Sequence, residues 1–514
     1  MGKKLLILTL FIALITHLSY IKNGYVWLDH NDFELQNALL PINNLYKAFF
    51  IPFGKTGFYR PLVTILNSLD RGSHITSLIL HLLVVLVAAW FLSVFFKFNK
   101  FQIFLGSLTI ALHSASIMVV GLLFLRQEML LLLFSMLTVI FHSRSKKLLS
   151  CIFFFLALLS KETAIVVIPL FIFFWEYLNH KPQKNYLRLL FWEFCALLIY
   201  IFLRINAVPQ FWSTKYPNLS LSQNIGTRLN LFLKFSLELI SPLKPNFSDS
   251  TKIINLMNLQ TLLTLILLTI FIYLIIKKGI KSDLGKAITI FFILILPSLN
   301  LIPVPRISSP HYLYLPVIGL AAIIMSVIPN IKNRFILSIV IIWLALASYS
   351  TFKSGFQFQN DLTLFTPEVE KDPNFLEAYY YLGKYHLEKG NADQAEIDFS
   401  NALKNTQGYL VFNNKEIVEV NLGAIKFEKG NLSQAEILYN DALTSSSPSL
   451  KPIILYNLAL IADKKEDSQK VIELLSSTPW DKPEPLFLLA KAYHRLGHLD
   501  EETETIQKAL FLAR

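Results

Sequence analysis

Tyr25-Val26-Trp27-Leu28-Asp29-His30-Asn31-Asp32 sets two carboxylates and an imidazole close together just past the first apolar run of the chain. Ionisable groups this near a membrane exit are expensive to keep unless water or a substrate meets them. A carboxylate so placed can take a proton from a reacting group, which makes Asp29 the candidate catalytic residue of a site at the outer membrane surface. In a bland role the same residue would cap a surface helix or be solvated in a loop, and solvation is the expectation for Asp32.

Other candidates sit at the ends of later apolar runs. Arg60 precedes Pro61, a pairing that also suits simple entry into a helix. Arg126 and Glu128 flank a helix start between two apolar runs, where a charge pair without a task is costly. Ser160-Lys161-Glu162 is either part of a site or a boundary cap with a snorkelling lysine, and Glu162 is expected as a structural partner of Arg126 or Lys161. His113 precedes a possible helix break and its role stays open. His74 and His81 share one helical face without a third ligand nearby, so packing or hydrogen bonding is expected there and no metal site is assigned.

The elements that must position these groups follow from composition. With 54% hydrophobic and 13% aromatic residues in 514, and a mean hydropathy of +0.50, the chain is too apolar for an ordinary soluble protein. Up to residue 352 its net charge is +19, and from Lys353 onward it is −7, which separates two regions with different solvents. The basic residues lie in short loops between apolar runs, where they set membrane orientation, so nucleic acid is not expected as a partner. Cys151 and Cys195 fall inside apolar runs, which argues for core filling and against a disulfide framework or zinc site.

The expected fold class is all-α: a polytopic membrane bundle of about eleven spans over residues 1–352, a linker at 353–373 and a soluble α-solenoid at 374–514. The spans fall at 5–21, 75–96, 101–122, 126–142, 148–160, 163–178, 187–204, 257–276, 287–304, 311–328 and 335–352. A cytoplasmic amino terminus puts basic loops inside at Lys97 and Lys100, Arg144 to Lys147, Lys181 to Arg188, Lys277 to Lys281 and Lys332-Asn333-Arg334. The loops 22–73 and 205–256, the turns near Arg126, Lys161 and Arg306, and the solenoid are then outside, facing a bacterial periplasm or an equivalent lumen. Residues 228–240 carry Arg228, Lys234 and Glu238 and are expected as a helix lying on that outer surface.

From about Asn374 a repeat of roughly 34 residues sets in. Leu382-Gly383, Ala395, Phe399 and Ala402 recur as Leu422-Gly423, Ala435, Tyr439 and Ala442, and more weakly as Leu458-Ala459 and Leu489-Ala490. Small residues let paired helices approach closely while the aromatic fills the next gap. This pattern resembles tetratricopeptide repeats, about four in number, which present a surface for protein or peptide partners.

The motifs of the apolar half also carry a resemblance. Val26-Trp27-Leu28-Asp29-His30, Tyr59-Arg60-Pro61-Leu62, His74 to His81, Ala111-Leu112-His113, Arg126-Gln127-Glu128-Met129-Leu130, Leu158 to Glu162, Leu296 to Leu301 and Tyr312-Leu313-Tyr314-Leu315-Pro316 follow the order seen in TMTC-type proteins. These are transmembrane, tetratricopeptide-containing glycosyltransferases of the GT-C superfamily, similar to protein O-mannosyltransferases. The resemblance implies inverting transfer from a polyprenyl-phosphate sugar to an acceptor on the outer face, with Asp29 as the base beside the acceptor hydroxyl. It further implies that Arg60, Arg126, Lys161 and Arg306 bind the donor phosphate, supported by Asp32, His113, Glu128, Glu162 and His311. The lipid-linked sugar is then the donor, membrane lipids and a repeat-bound protein are the partners, and a divalent metal is left open.

Three departures stand against that pattern. Leu28 precedes Asp29 where the family commonly pairs two acids, and His113 to Met118 lacks the acid of a His-Pro-x-His-x-Glu-like run. Pro310-His311 replaces a usual Glu-Arg, leaving Arg306 as the nearest cation. A changed donor or acceptor fits these departures, and so does lost catalysis. The alternative function is a non-catalytic membrane scaffold whose repeats assemble envelope proteins. A transporter fits less well, since its polar groups belong at the bilayer midplane.

Overall fold

The computed structural model describes residues 2–513 apart from 56, 180–189, 209–218, 302–305 and 329–333. The basic loops expected at Lys181 to Arg188 and at Lys332-Asn333 therefore lie outside the described residues. The chain divides into two compact units, Met1–Asp372 with Gly408–Val411, and Pro373–Gln407 with Phe412–Arg514.

Helix forms inside every one of the eleven apolar runs. In chain order the first unit contains α1 (Lys3–Thr16), α2 (Pro61–Asp70), α3 (His74–Phe95), α4 (Lys100–Leu112), α5 (Ser116–Gly121), α6 (Arg126–Ser143), α7 (Lys147–Ser160) and α8 (Ala164–Asn179). It continues with α9 (Phe191–Ala207), α10 (Leu221–Ile240), α11 (Leu259–Lys278), α12 (Asp283–Ile295), α13 (Val317–Val327), α14 (Arg334–Gly355) and α15 (Asp361–Lys371). Two-residue strands, Thr251–Lys252 and Tyr409–Leu410, pair antiparallel with Thr251 opposite Leu410.

Among the described residues four helices are long and apolar enough to cross a membrane: His74–Phe95, Leu123–Ser143, Leu259–Lys278 and Phe335–Gln359. Of the about eleven spans expected, only four of the described helices reach spanning length, and the helices in the other runs are shorter. The run 101–122 shows one reason. α4 stops at Leu112 because His113 to Ser116 offer their own hydrogen-bonding groups to the backbone. His113 Nδ1 accepts from Ala115 N (2.9 Å) and Ser116 Oγ donates to His113 O (2.9 Å), so the break is satisfied without the helical ladder.

The long helices differ in what they face. α6 is buried on nearly all sides, whereas α11 leaves Leu262, Ile266 and Ile270 exposed and α14 leaves Ile339, Ile342 and Leu346 exposed. A helix that is apolar all round with its outer face uncovered suits a lipid solvent. Residues 353–372, expected as a linker, are largely helical and belong to the first unit.

The second unit is a series of helix hairpins: Leu376–Glu388 with Ala392–Ala402, Lys415–Glu428 with Leu432–Ser445, Lys451–Lys464 with Ser468–Leu475, and Pro483–Leu496 with Leu499–Leu512. The repeated residues perform the packing expected of them. A Cβ on Gly383 would sit 2.8 Å from the Phe399 ring, and one on Gly423 would sit 2.7 Å from the Tyr439 ring. Ala395, Phe399, Ala402, Ala435 and Ala442 are all fully buried.

Candidate functional site

The loop after α1 reaches its shape through Trp27, which holds a left-handed backbone at φ +57° that a bulky residue seldom adopts. His30–Glu34 then forms a single π-helical turn. These two irregularities send Asp29 and Asp32 in different directions.

Asp29 is fully buried and its carboxylate accepts from Leu123 N (3.2 Å) and Phe124 N (2.9 Å). Those amides open the short 3-10 turn Leu123–Leu125 ahead of α6, where no helical carbonyl is available to them. Burial pushes Asp29 up to about 8, against the two amides that pull it down. Asp29, expected as the catalytic base, is absent from the walls of the cavity described next.

Asp32 does line that cavity, which has a volume of about 210 Å³. Arg60, Lys161, Arg306, Glu128, Glu162 and His311 line it as well, with an apolar wall that includes Leu28, Phe53, Phe58, Phe124 and Leu315. Burial pushes Asp32 up to about 6, while the Asn31 amide, which donates to it at 3.1 Å, and the Arg60 charge draw it back down.

Each cation has its own support. Arg60 stands just before Pro61, the first residue of α2, and forks onto Glu162 with Nη2 to Oε1 at 3.0 Å and Nε to Oε2 at 3.4 Å. The Phe58 ring lies 4.2 Å from its guanidinium carbon. Burial would raise Glu162, yet Arg60 and Lys161 hold it below the ordinary carboxylate range. Lys161, between α7 and α8, donates to Glu128 of α6 and lies over the Tyr312 ring at 5.4 Å. His311 Nε2 is 3.6 Å from the same Glu128, and its Nδ1 is 2.6 Å from Ser309 Oγ. Burial, with Lys161, Arg306 and Arg60 around it, holds His311 well below its ordinary value, so it is neutral. Arg306 stacks on Trp27, its guanidinium carbon 4.8 Å from the ring centre.

Arg126 and His113 lie elsewhere. Arg126 is fully buried and donates to Ser77 Oγ (3.1 Å), Asn67 Oδ1 (3.0 Å), Asp70 Oδ1 (2.9 Å) and Ser73 O (2.6 Å), a clamp that ties α6 to the turn between α2 and α3. His113 Nε2 donates to Leu239 O at 2.8 Å, fixing α10 against the break after α4. Of the residues expected as a site, the cavity therefore gathers seven: Asp32, Arg60, Glu128, Lys161, Glu162, Arg306 and His311. It adds Asn31, Gln127, Thr163, Ser298 and Tyr312, of which Gln127, Ser298 and Tyr312 lie within the quoted motifs and Asn31 within the stretch Tyr25 to Asp32, though none was named as a site residue. Among the described residues no group of His, Cys, Asp and Glu is placed to hold a metal ion.

No family model matches the chain. A protein O-mannosyl-transferase of Caenorhabditis elegans, F38B6.6, is 26% identical over 273 residues, covering 49% of this chain and 38% of that protein. The chain thus matches well under half of that relative's length. A crystal structure of MamA shares 18% identity with a TM-score of 0.26, over 31% of this chain and 91% of that one. A crystal structure of an APC/C hetero-tetramer, Cut9-Hcn1, shares 15% identity with a TM-score of 0.24, over 76% of this chain and 83% of that one. Scores so low carry no weight for the fold.

Proposed function

We propose that the chain is a membrane glycosyltransferase that moves a sugar from a polyprenyl-phosphate donor to an acceptor hydroxyl on the outer face of the membrane. One observation carries this reading: a single cavity holds a carboxylate, Asp32, together with three cations, Arg60, Lys161 and Arg306. The distant likeness to an O-mannosyl-transferase supports the reaction class.

In the step envisaged, the acceptor oxygen attacks the anomeric carbon as the bond from that carbon to the phosphate oxygen breaks. The hydroxyl proton passes to Asp32, and the electron pair leaves with the phosphate, whose added negative charge the three cations meet. Asp32, at about 6, is ionised at neutral pH and basic enough to take the proton. Asp29 keeps the loop in place through the Leu123 and Phe124 amides and has no chemical part.

Three lining cations face three lining carboxylates, Asp32, Glu128 and Glu162, so the cavity is close to neutral once Asp32 is ionised. A donor carrying one negative charge then needs no large excess of cations. Purified protein in lipid, supplied with a labelled polyprenyl-phosphate sugar and a hydroxyl-bearing peptide, should yield glycosylated peptide. Lys161→Met should cut that yield by about tenfold or more, as expected for losing a charge-assisted contact to the leaving group. No transfer with any polyprenyl-phosphate hexose would contradict the proposal.

A further inference from the structure

Asp361, the first residue of α15, belongs to a stretch expected as a mere linker. Its carboxylate accepts from Trp27 N at 2.8 Å through Oδ1 and from His30 Nε2 at 3.0 Å through Oδ2. One turn further along α15, Phe365 meets the Trp27 ring edge-on at 5.4 Å between centroids. Trp27 in turn carries the Arg306 guanidinium at 4.8 Å, and His30 opens the π-helical turn that places Asp32.

We infer that Asp361 is a positioning residue for the cavity: by anchoring Trp27 and His30 it holds Arg306 and Asp32 at the donor site. The bond from Trp27 N to Asp361 helps hold Trp27 at a positive φ, a conformation that costs a bulky side chain on the order of 1–3 kcal/mol. The anchor is ionic on one side. His30 faces Asp361 from α15 and Glu34 from its own turn, at 2.7 Å from Nδ1. Burial lowers His30, but hydrogen bonds and charge from Asp361 and Glu34 outweigh it and raise it to about 9, so the imidazole is charged at neutral pH. α15 ends at Lys371, immediately ahead of the second unit in sequence.

This inference rests on the proposed transfer reaction, and its test separates the two. The full chain in lipid nanodiscs is compared with Asp361→Ala and Asp361→Asn by hydrogen exchange of peptides covering 25–35 and 306–315, and by transfer kinetics. Asp361→Ala should speed exchange in both peptides and raise the donor KM by about tenfold, the loss expected when one charged contact to the donor is displaced. Asp361→Asn keeps an acceptor for Trp27 N but loses the charge beside His30, so the alkaline fall in activity near pH 9 should move to lower pH. Unchanged exchange at 306–315 in both variants would overturn the coupling, whatever transfer does. Transfer absent from the parent, with exchange altered as described, would sink the transferase reading and leave the anchor standing.

Discussion

Asp32 titrates near pH 6 because it is buried, and its two forms favour different steps. Proton abstraction needs the carboxylate, so the rate at saturating donor should fall about tenfold per pH unit below pH 6. Donor binding prefers the neutral acid, because one more cavity charge is then uncompensated, so donor affinity should improve over the same range; a pH series of kcat and KM checks both signs. Since its folded value lies above the ordinary 3.8, ionising Asp32 costs stability as pH rises from there to about 6 and no further beyond. Asp32→Asn, which has no charge to bury, should therefore unfold at a higher temperature than the parent at pH 7 to 8. Asp29→Ala behaves oppositely: two buried amides lose their acceptor, and stability should drop by about 1–3 kcal/mol in thermal unfolding. Sequence reasoning named Asp29 as the base and expected Asp32 to be solvated, whereas Asp32 is buried and lines the cavity and Asp29 does not. That choice depends on Trp27 at positive φ and on a π-helical turn, and neither leaves a mark in residue types.

Helices and turns carry the next level of the account. Arg126 was legible as a charge between apolar runs and was expected to bind the donor phosphate, but it is absent from the cavity walls. Its work is to clamp α2, α3 and α6, because Asn67, Asp70, Ser73 and Ser77 converge on it from a turn far away in sequence. Arg126→Ala strands the Asp70 carboxylate and should cost about 3–5 kcal/mol, seen as loss of folded protein from the membrane. The break at His113 to Ser116 was only half visible, since hydrophobic length counts residues and ignores local hydrogen bonding. In the second unit, by contrast, a glycine and an aromatic recurring at a fixed spacing specified both partners of a contact. Gly423→Val would drive a side chain into Tyr439 and should destabilise the hairpins by about 1–3 kcal/mol in calorimetry.

At the scale of the whole molecule, composition and charge division gave two regions, and the chain forms two compact units, Met1–Asp372 with Gly408–Val411, and Pro373–Gln407 with Phe412–Arg514. What composition could not give is which apolar runs face lipid, because α6 and α11 are both long and apolar enough to span while one is buried in protein and the other is largely uncovered. The orientation proposed, with the second unit outside, is open to direct labelling. With Cys151 and Cys195 replaced by Ala, a cysteine at exposed Ser447 should react with an impermeant maleimide added to intact cells, and one at exposed Lys97 should react only after lysis. Labelling at Lys97 in intact cells with Ser447 protected until lysis would reverse that placement.

The most direct measurement compares Asp32→Asn and Asp29→Asn with the parent for sugar transfer from a polyprenyl-phosphate donor in membranes, at matched amounts of folded protein. Asp32→Asn should lose about 10²- to 10⁴-fold in rate, the scale of a positioned base, while Asp29→Asn, which retains one acceptor oxygen, should stay within about tenfold of the parent. The opposite order, or equal transfer by all three, would contradict Asp32 as the base of the cavity.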